Sequence, residues 1–231
     1  MSILLLNGPP FSPLFWDKVQ DRLSEHNLKS ASLNWIEQSG TMETLVPWII
    51  QTIEREEHTT LVAHGLAVPL ALEIASQKQN IHFILSNGPL DSHKLALFLS
   101  TIPRLSLHPK IALPILSSSL AFRRLVINPY VMNRDTIATL SNNVLNNRKV
   151  RGHIWKYFQD LRGWHRPKNL TGQEISLIWG TSDFLFPPPA DLSLPNRVSY
   201  AAIEGGAHFH PIERPWAIAD QIQKISMTKM S

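Results

Sequence analysis

The chain has 231 residues, 43% of them hydrophobic, with a formal net charge of +4; that is enough for one α/β domain whose core needs no metal or disulfide. It contains no cysteine, which excludes disulfides, thiolate metal sites and a cysteine nucleophile. No apolar run approaches the roughly 20 residues of a membrane span, and the opening MSILLLNGPP lacks the basic start of a signal peptide. A soluble, cytoplasmic protein with no membrane partner is therefore expected. The basic residues are scattered except for Arg148, Lys149 and Arg151, so no nucleic-acid partner is expected either.

Ile3 to Leu6 is a short apolar run ended by Gly8-Pro9-Pro10, the pattern of a buried parallel strand. Leu14 to His26 reads as an amphipathic helix with Phe15, Val19 and Leu23 on one side. Ser30 to Ile36 reads as a strand, and Met42 to Glu56 as a helix with Leu45, Ile49 and Ile53 in register. Thr59 to Ala63 is a central strand; it runs through His64-Gly65-Leu66-Ala67 into an amphipathic segment, Val68 to Gln77. Ile81 to Ser86 is the next strand.

From residue 91 to 167 the alternation of strand and helix stops, and the apolar spacing becomes helical. Pro103, Pro109, Pro114 and Pro129 divide this segment into short helices, which suits a lid over the core better than an independent domain. The core halves are then residues 1–90 and 168–231. The second half holds a strand from Ile175 to Trp179, the Pro187-Pro188-Pro189 loop, a strand from Val198 to Ile203 and a helix from about Pro215 to Ser226.

Four segments, in order, give the whole chain a resemblance to the α/β-hydrolase fold superfamily. Leu5-Leu6-Asn7-Gly8-Pro9-Pro10 with Phe15-Trp16 resembles its HGxP loop and downstream Trp. Ala63-His64-Gly65-Leu66-Ala67 resembles the GxSxG nucleophile elbow. Ile175 to Asp183, with Trp179-Gly180-Thr181-Ser182-Asp183, resembles the strand and loop that present the triad acid. Gly205-Gly206-Ala207-His208-Phe209-His210-Pro211-Ile212-Glu213-Arg214-Pro215 resembles the segment carrying the triad histidine. The resemblance implies a mostly parallel sheet of about six strands flanked by helices, with a helical cap. It also implies that Asp183 is the acid, that His208 is the base, and that Gly65 occupies the nucleophile position.

Glycine has no side chain with which to attack. Pro9 stands where the family takes one oxyanion donor, and proline has no N–H; the N–H of Leu66 is the remaining donor. Ordinary ester or amide hydrolysis therefore loses its nucleophile and one of its two oxyanion donors. A His–Asp pair can still move protons, and relatives that lack or do not use the nucleophile act as decarboxylases, lyases, cyclases or cofactor-independent oxygenases. The leading expectation is non-hydrolytic acid–base catalysis by His208 and Asp183 on a small, partly apolar carbonyl or carboxylate compound, with no cofactor or metal. Asn7, Gly8, Pro9, His64 and Leu66 would line the pocket.

Two other readings stay open: a catalytically inactive relative that binds a small ligand or a protein partner, and a weak hydrolase working through water or a displaced Ser86. Gly65 also has a purely conformational explanation, since a sharp elbow favours a residue at ease with positive φ. His64 is expected to pack as a structural residue beside the elbow, and Asn7 to hydrogen-bond within its loop unless its amide replaces the donor lost at Pro9. Phe11, Trp16, Phe184 and Phe186 are expected in the core or pocket wall, and His210 at a lid contact or facing solvent. The charges of Arg148, Lys149 and Arg151 are expected to be exposed on the cap, where they could hold a carboxylate.

Overall fold

The computed structural model describes residues 2–38, 40–95, 134–189 and 199–227. Among them, six parallel strands form one sheet: β1 (Ser2–Leu6), β2 (Lys29–Ser32), β3 (Thr60–His64), β4 (His82–Ser86), β5 (Glu174–Gly180) and β6 (Ser199–Ile203), in the order β2-β1-β3-β4-β5-β6. The helices are α1 (Asp17–Glu25), α2 (Met42–Arg55), α3 (Val68–Gln77), α4 (Arg134–Leu145), α5 (Arg148–Arg162), the single turn α6 (His210–Glu213) and α7 (Pro215–Met227). None of the described helices is long and apolar enough to cross a membrane.

The central strands are apolar on both faces because both faces are covered. Successive side chains of a strand point to opposite faces, so Ile3, Leu5, Val62, Ile84 and Ile178 enter one core with Phe15, Trp16, Val19 and Ile218. Leu4, Leu6, Leu61, Ala63, Phe83 and Leu177 enter the other, with Leu45, Ile49, Leu70 and Tyr157. Parallel pairing of Leu6 with Ala63, and of His64 with Ser86, sets the three inner strand ends level. The sheet reverses its winding between β1 and β3, and such switch points open a crevice beyond the carboxyl ends of the strands. The Asn7 loop leaves β1 on one side of that crevice, and the Gly65 turn leaves β3 on the other.

Two elements differ from their expected extents by more than a residue at an end. The first helix begins as a 3₁₀ turn, Pro13–Trp16, before α1. The expected strand Ser30–Ile36 is cut to Lys29–Ser32 and followed by a 3₁₀ turn, Trp35–Glu37. Trp35 and Ile36 both enter the core, and the indole N–H of Trp35 donates to the carbonyl of Asn7 at 2.9 Å, which a continued strand could not arrange. β3 runs one residue further than expected, to His64. Val198 and all four prolines expected to divide the cap lie outside the described residues. Of the segment 91–167 expected to form a cap, α4 and α5 are among the described elements; α5 buries Val150, Ile154, Tyr157, Phe158 and Leu161.

Candidate active site

At the end of β3 the backbone turns through Gly65 at φ +60°, continues as a 3₁₀ turn to Ala67 and enters α3 with Pro69 in its first turn. Positive φ is adopted by glycine without steric cost. Gly8 presses against this turn: a Cβ at Gly8 would fall 2.7 Å from the nitrogen of Leu66 and 3.2 Å from the carbonyl oxygen of His64. Only a residue without a side chain lets the two loops meet. Two donors from outside pin them: Trp35 on the Asn7 carbonyl, and the Tyr157 hydroxyl of α5 on the Leu66 carbonyl at 2.7 Å. The side-chain amide of Asn7 donates one of its two N–H groups to the carbonyl of Phe11, a hydrogen bond within its own loop.

Beyond β5 and β6, two loops interlock. A Cβ on Gly180 would lie 2.3 Å from the carbonyl oxygen of Gly206, and the N–H of Ser182 donates to that same oxygen at 2.9 Å. Asn87, fully buried just past β4, accepts from the N–H of Gly180 and donates to the carbonyl of Ala207. The clamp holds Asp183 and His208 in place. His208 Nδ1 lies 3.0 Å from Asp183 Oδ2, and the other carboxylate oxygen accepts from the N–H groups of Leu185 and Phe186 at 2.8 and 3.1 Å. With its remaining oxygen occupied, the carboxylate presents a single acceptor to the imidazole, which fixes Nδ1 as the protonated nitrogen.

Nε2 of His208 is therefore left with its lone pair, on the side of the ring that meets the Gly65 turn. A Cβ built on Gly65 would lie 3.6 Å from it and 3.8 Å from Cε1 of the same ring, with no other neighbour within 4 Å among the described residues. The turn, the imidazole and the carboxylate are thus brought together, and no described hydroxyl is hydrogen-bonded to His208. Phe186 and Phe209 pack against the imidazole, with ring centres at 5.7 and 4.8 Å.

Behind the dyad lies a second buried group. His64 stacks between Phe15 and His208, both at 5.1 Å. Its Nδ1 is 3.3 Å from Ser86 Oγ, which is 3.0 Å from His210 Nε2, while His210 Nδ1 faces the carbonyl of Ala207 at 3.1 Å. A carbonyl only accepts, so the direction of the chain is fixed: His210 donates to Ala207, Ser86 to His210, and His64 to Ser86. Burial pushes His64 well below the ordinary histidine range, helped by the neighbouring imidazoles, and pushes His210 down to about 3. Both rings are neutral at pH 7.

Ser86 is thus committed to His64 and His210, away from His208. His64 packs beside the elbow, and its Nε2 has no hydrogen-bond partner among the described residues. His210 is fully buried and does not face solvent; Ser86 and Ala207 take both of its nitrogens. Phe184 also departs from expectation: it is 59% exposed, whereas Phe11, Trp16 and Phe186 are buried. Sequence reading missed Asn87 and Tyr157, whose partners are distant in the chain. Among the described residues no group of three or more His, Asp or Glu is arranged to hold a metal.

No protein-family model and no curated protein matches the sequence. Solved structures do. A thermophilic esterase from Thermogutta terrifontis has a TM-score of 0.76 at 12% identity, covering 99% of this chain and 90% of the esterase. The enol-lactonase of Burkholderia xenovorans LB400 has a TM-score of 0.76 at 13% identity, covering 98% and 91%. An epoxide hydrolase of Bacillus megaterium has a TM-score of 0.69 at 19% identity, covering 96% and 92%. The chain has the α/β-hydrolase fold.

Proposed function

We propose that this protein is an acid–base catalyst without a covalent nucleophile, acting on a small, partly apolar carbonyl or carboxylate compound in the manner of a decarboxylase, lyase or cyclase. His208 is the proton-transferring group and Asp183 its orienting partner. The observation that carries this reading is the pairing of the two at 3.0 Å with Nε2 turned toward the bare α-carbon of Gly65. The volume that a serine side chain would fill is left for a substrate oxygen, an acidic C–H or a water. The N–H of Leu66 is the donor available to a developing enolate or alkoxide, with Gly8 and Pro9 beside it and His64 packed behind the imidazole of His208.

A nitrogen base held in one tautomer next to such a space contributes about 10²–10⁴-fold to a proton transfer. The proposal is tested without knowing the substrate. Exchange of α-protons for deuterium is followed by proton NMR over a panel of small ketones, β-keto acids and enol esters. Wild type accelerates exchange or decarboxylation of at least one class, and His208→Ala does not. Equal rates for the two proteins, or covalent labelling of the wild type by a fluorophosphonate, would remove the proposal.

A further inference from the structure

The two end strands of the sheet are finished differently. β2 opens on the exposed Lys29, and its Ser30 carbonyl already accepts from the side-chain amide of Gln20 on α1 at 3.3 Å; charge and cover are the usual means of keeping an edge from pairing. β6 has neither. Among the described residues it pairs only with β5, and Ser199-Tyr200-Ala201-Ala202-Ile203 contains no charge, proline or glycine. The N–H of Thr181 donates to the carbonyl of Ile203 at 3.1 Å, so Ile203, and with it Ala201 and Ser199, turn their backbone groups to β5. Those of Tyr200 and Ala202 point out to the open edge, because backbone groups alternate in direction along a strand. Ala201 and Ile203 join the core that holds Phe15 and Trp16, which puts the side chains of Tyr200 and Ala202 on the other face; both are exposed, Tyr200 by 40%. A groove of about 370 Å³ follows this edge, bordered by Ser199, Tyr200 and Ala202 and by Gln221, Lys224 and Ile225 of α7.

We propose that two copies of this chain join along that edge, β6 against β6 about a two-fold axis through Ala201, so that two six-stranded sheets become one. Two antiparallel copies of a five-residue strand pair over their whole length only when centred on the third residue. The backbone favours the same register. The outward N–H and C=O of Tyr200 meet those of the partner's Ala202, and the two-fold axis repeats the exchange, which satisfies every outward group of the two residues. Ala201 faces its own copy in the narrow non-hydrogen-bonded pair, where Cα atoms approach to about 4.5 Å and a methyl group fits. On the exposed face the large Tyr200 lies across from the small side chain of the partner's Ala202, a pairing without crowding. Charge agrees with this arrangement: reversal of strand direction carries the partner's exposed Glu204 past Ser199, and Lys224 borders the groove together with Ser199. A foreign strand would use the same backbone groups, but this chain itself carries the small residue and the opposite charge at each place the pairing requires.

Sedimentation velocity over about 1–100 µM protein tests this, with the mass expected to rise from 26.2 kDa to twice that value. Ala202→Pro removes an outward N–H and leaves the bonds to β5 in place, a substitution that edge strands tolerate. Each dimer then loses two hydrogen bonds at about fivefold apiece, so the dissociation constant rises by about 25-fold or more. Register is read by cross-linking. The chain has no cysteine, so Ala201→Cys carries a single thiol; in air two such thiols are oxidised to a disulfide-linked dimer, because a Cα separation of about 4.5 Å lies within disulfide reach. Ser199→Cys stays unlinked, since the two-fold axis sets those residues about 13 Å apart along the strands. Should Ala202→Pro fail to fold, the two cysteine variants carry the test alone. None of these measurements involves His208, so the outcome is independent of the acid–base proposal. A monomer at every concentration, including one whose edge takes up a β-forming peptide instead, a dimer unaffected by Ala202→Pro, or cross-linking at residue 199 equal to that at 201 would each overturn it.

Discussion

The α-carbon of Gly65 presents itself to His208 in such a way that a Cβ there would stand 3.6 Å from Nε2. A hydroxyl one bond further out comes within hydrogen-bonding reach of that nitrogen, about 2.6–3.2 Å. Gly65→Ser is therefore expected to assemble a Ser–His–Asp arrangement with no other change. Holding a non-glycine residue at φ +60° costs about 1–2 kcal/mol, so the variant melts a few degrees below wild type. Labelling by a fluorophosphonate should appear in Gly65→Ser and vanish in Gly65→Ser combined with His208→Ala. Esterase turnover should stay weak, because Pro9 withholds an oxyanion donor, whose removal typically costs about 2.7–4 kcal/mol. Absence of labelling in a folded Gly65→Ser protein would show that the imidazole is not aimed at the turn.

Asp183 controls which nitrogen of His208 carries the proton. In Asp183→Asn the amide oxygen keeps the two backbone donors of Leu185 and Phe186, leaving the amide N–H groups to face Nδ1. The imidazole must then take the other tautomer, and Nε2 becomes a donor. The same exchange in a serine protease triad lowers kcat by about 10⁴ with the geometry intact. Here the expected outcome is a folded protein whose ¹⁵N spectrum shows His208 protonated at Nε2 and whose proton-exchange activity is lost. An Nδ1-protonated ring in the variant would contradict the arrangement.

Much of this site was legible because its turns demand particular residues. Gly65 needs positive φ, and Gly8 and Gly180 must admit another backbone, so the Asn7-Gly8-Pro9, Ala63-to-Ala67 and Trp179-to-Asp183 segments could be recognised from local pattern. The apolar order of β1, β3, β4 and β5 was equally plain. Strand β2 was overextended because Ala31, Leu33 and Trp35 alternate as a strand does, while the long-range bond from Trp35 to Asn7 turns the chain. His210 was misplaced for a similar reason. Its burial depends on Ser86, 124 residues away in sequence, and nothing near His210 announces that partner. Asn87 and Tyr157 are invisible to local reading on the same grounds.

Tyr157 makes the link between α5 and the Gly65 turn testable. Its hydroxyl is buried and donates to the carbonyl of Leu66, and burial raises its pKa well above the ordinary tyrosine value, so it remains a donor through the neutral range. Tyr157→Phe keeps the ring and its packing on Trp35 at 4.9 Å, and leaves that carbonyl without the donor. The expected loss is about 1–3 kcal/mol, read as a lower urea midpoint with an unchanged denaturant slope. A midpoint equal to wild type would mean that the hydroxyl contributes nothing at the elbow.

Acid should unfold the protein through the His64–Ser86–His210 chain. An unfolded histidine titrates near 6.5, whereas His210 is held at about 3 and His64 well below its ordinary value, burial being the main cause in both. Lowered folded-state values mean that below about pH 6.5, and for His210 down to about 3, the unfolded chain binds protons that the native protein refuses. Stability contributed by the neutral rings is complete above about pH 7 and is lost as pH falls, by up to about 1.4 kcal/mol per pH unit for each ring. Urea denaturation in steps from pH 7.5 to about 4.5 should show this fall, and His210→Gln should flatten it. The glutamine keeps a polar side chain beside Ser86 but has no proton to gain in this range, so its stability at pH 7 drops while its slope with pH shrinks by about half. Wild-type stability constant over that interval, or an equal slope in His210→Gln, would show that these rings accept protons in the native state.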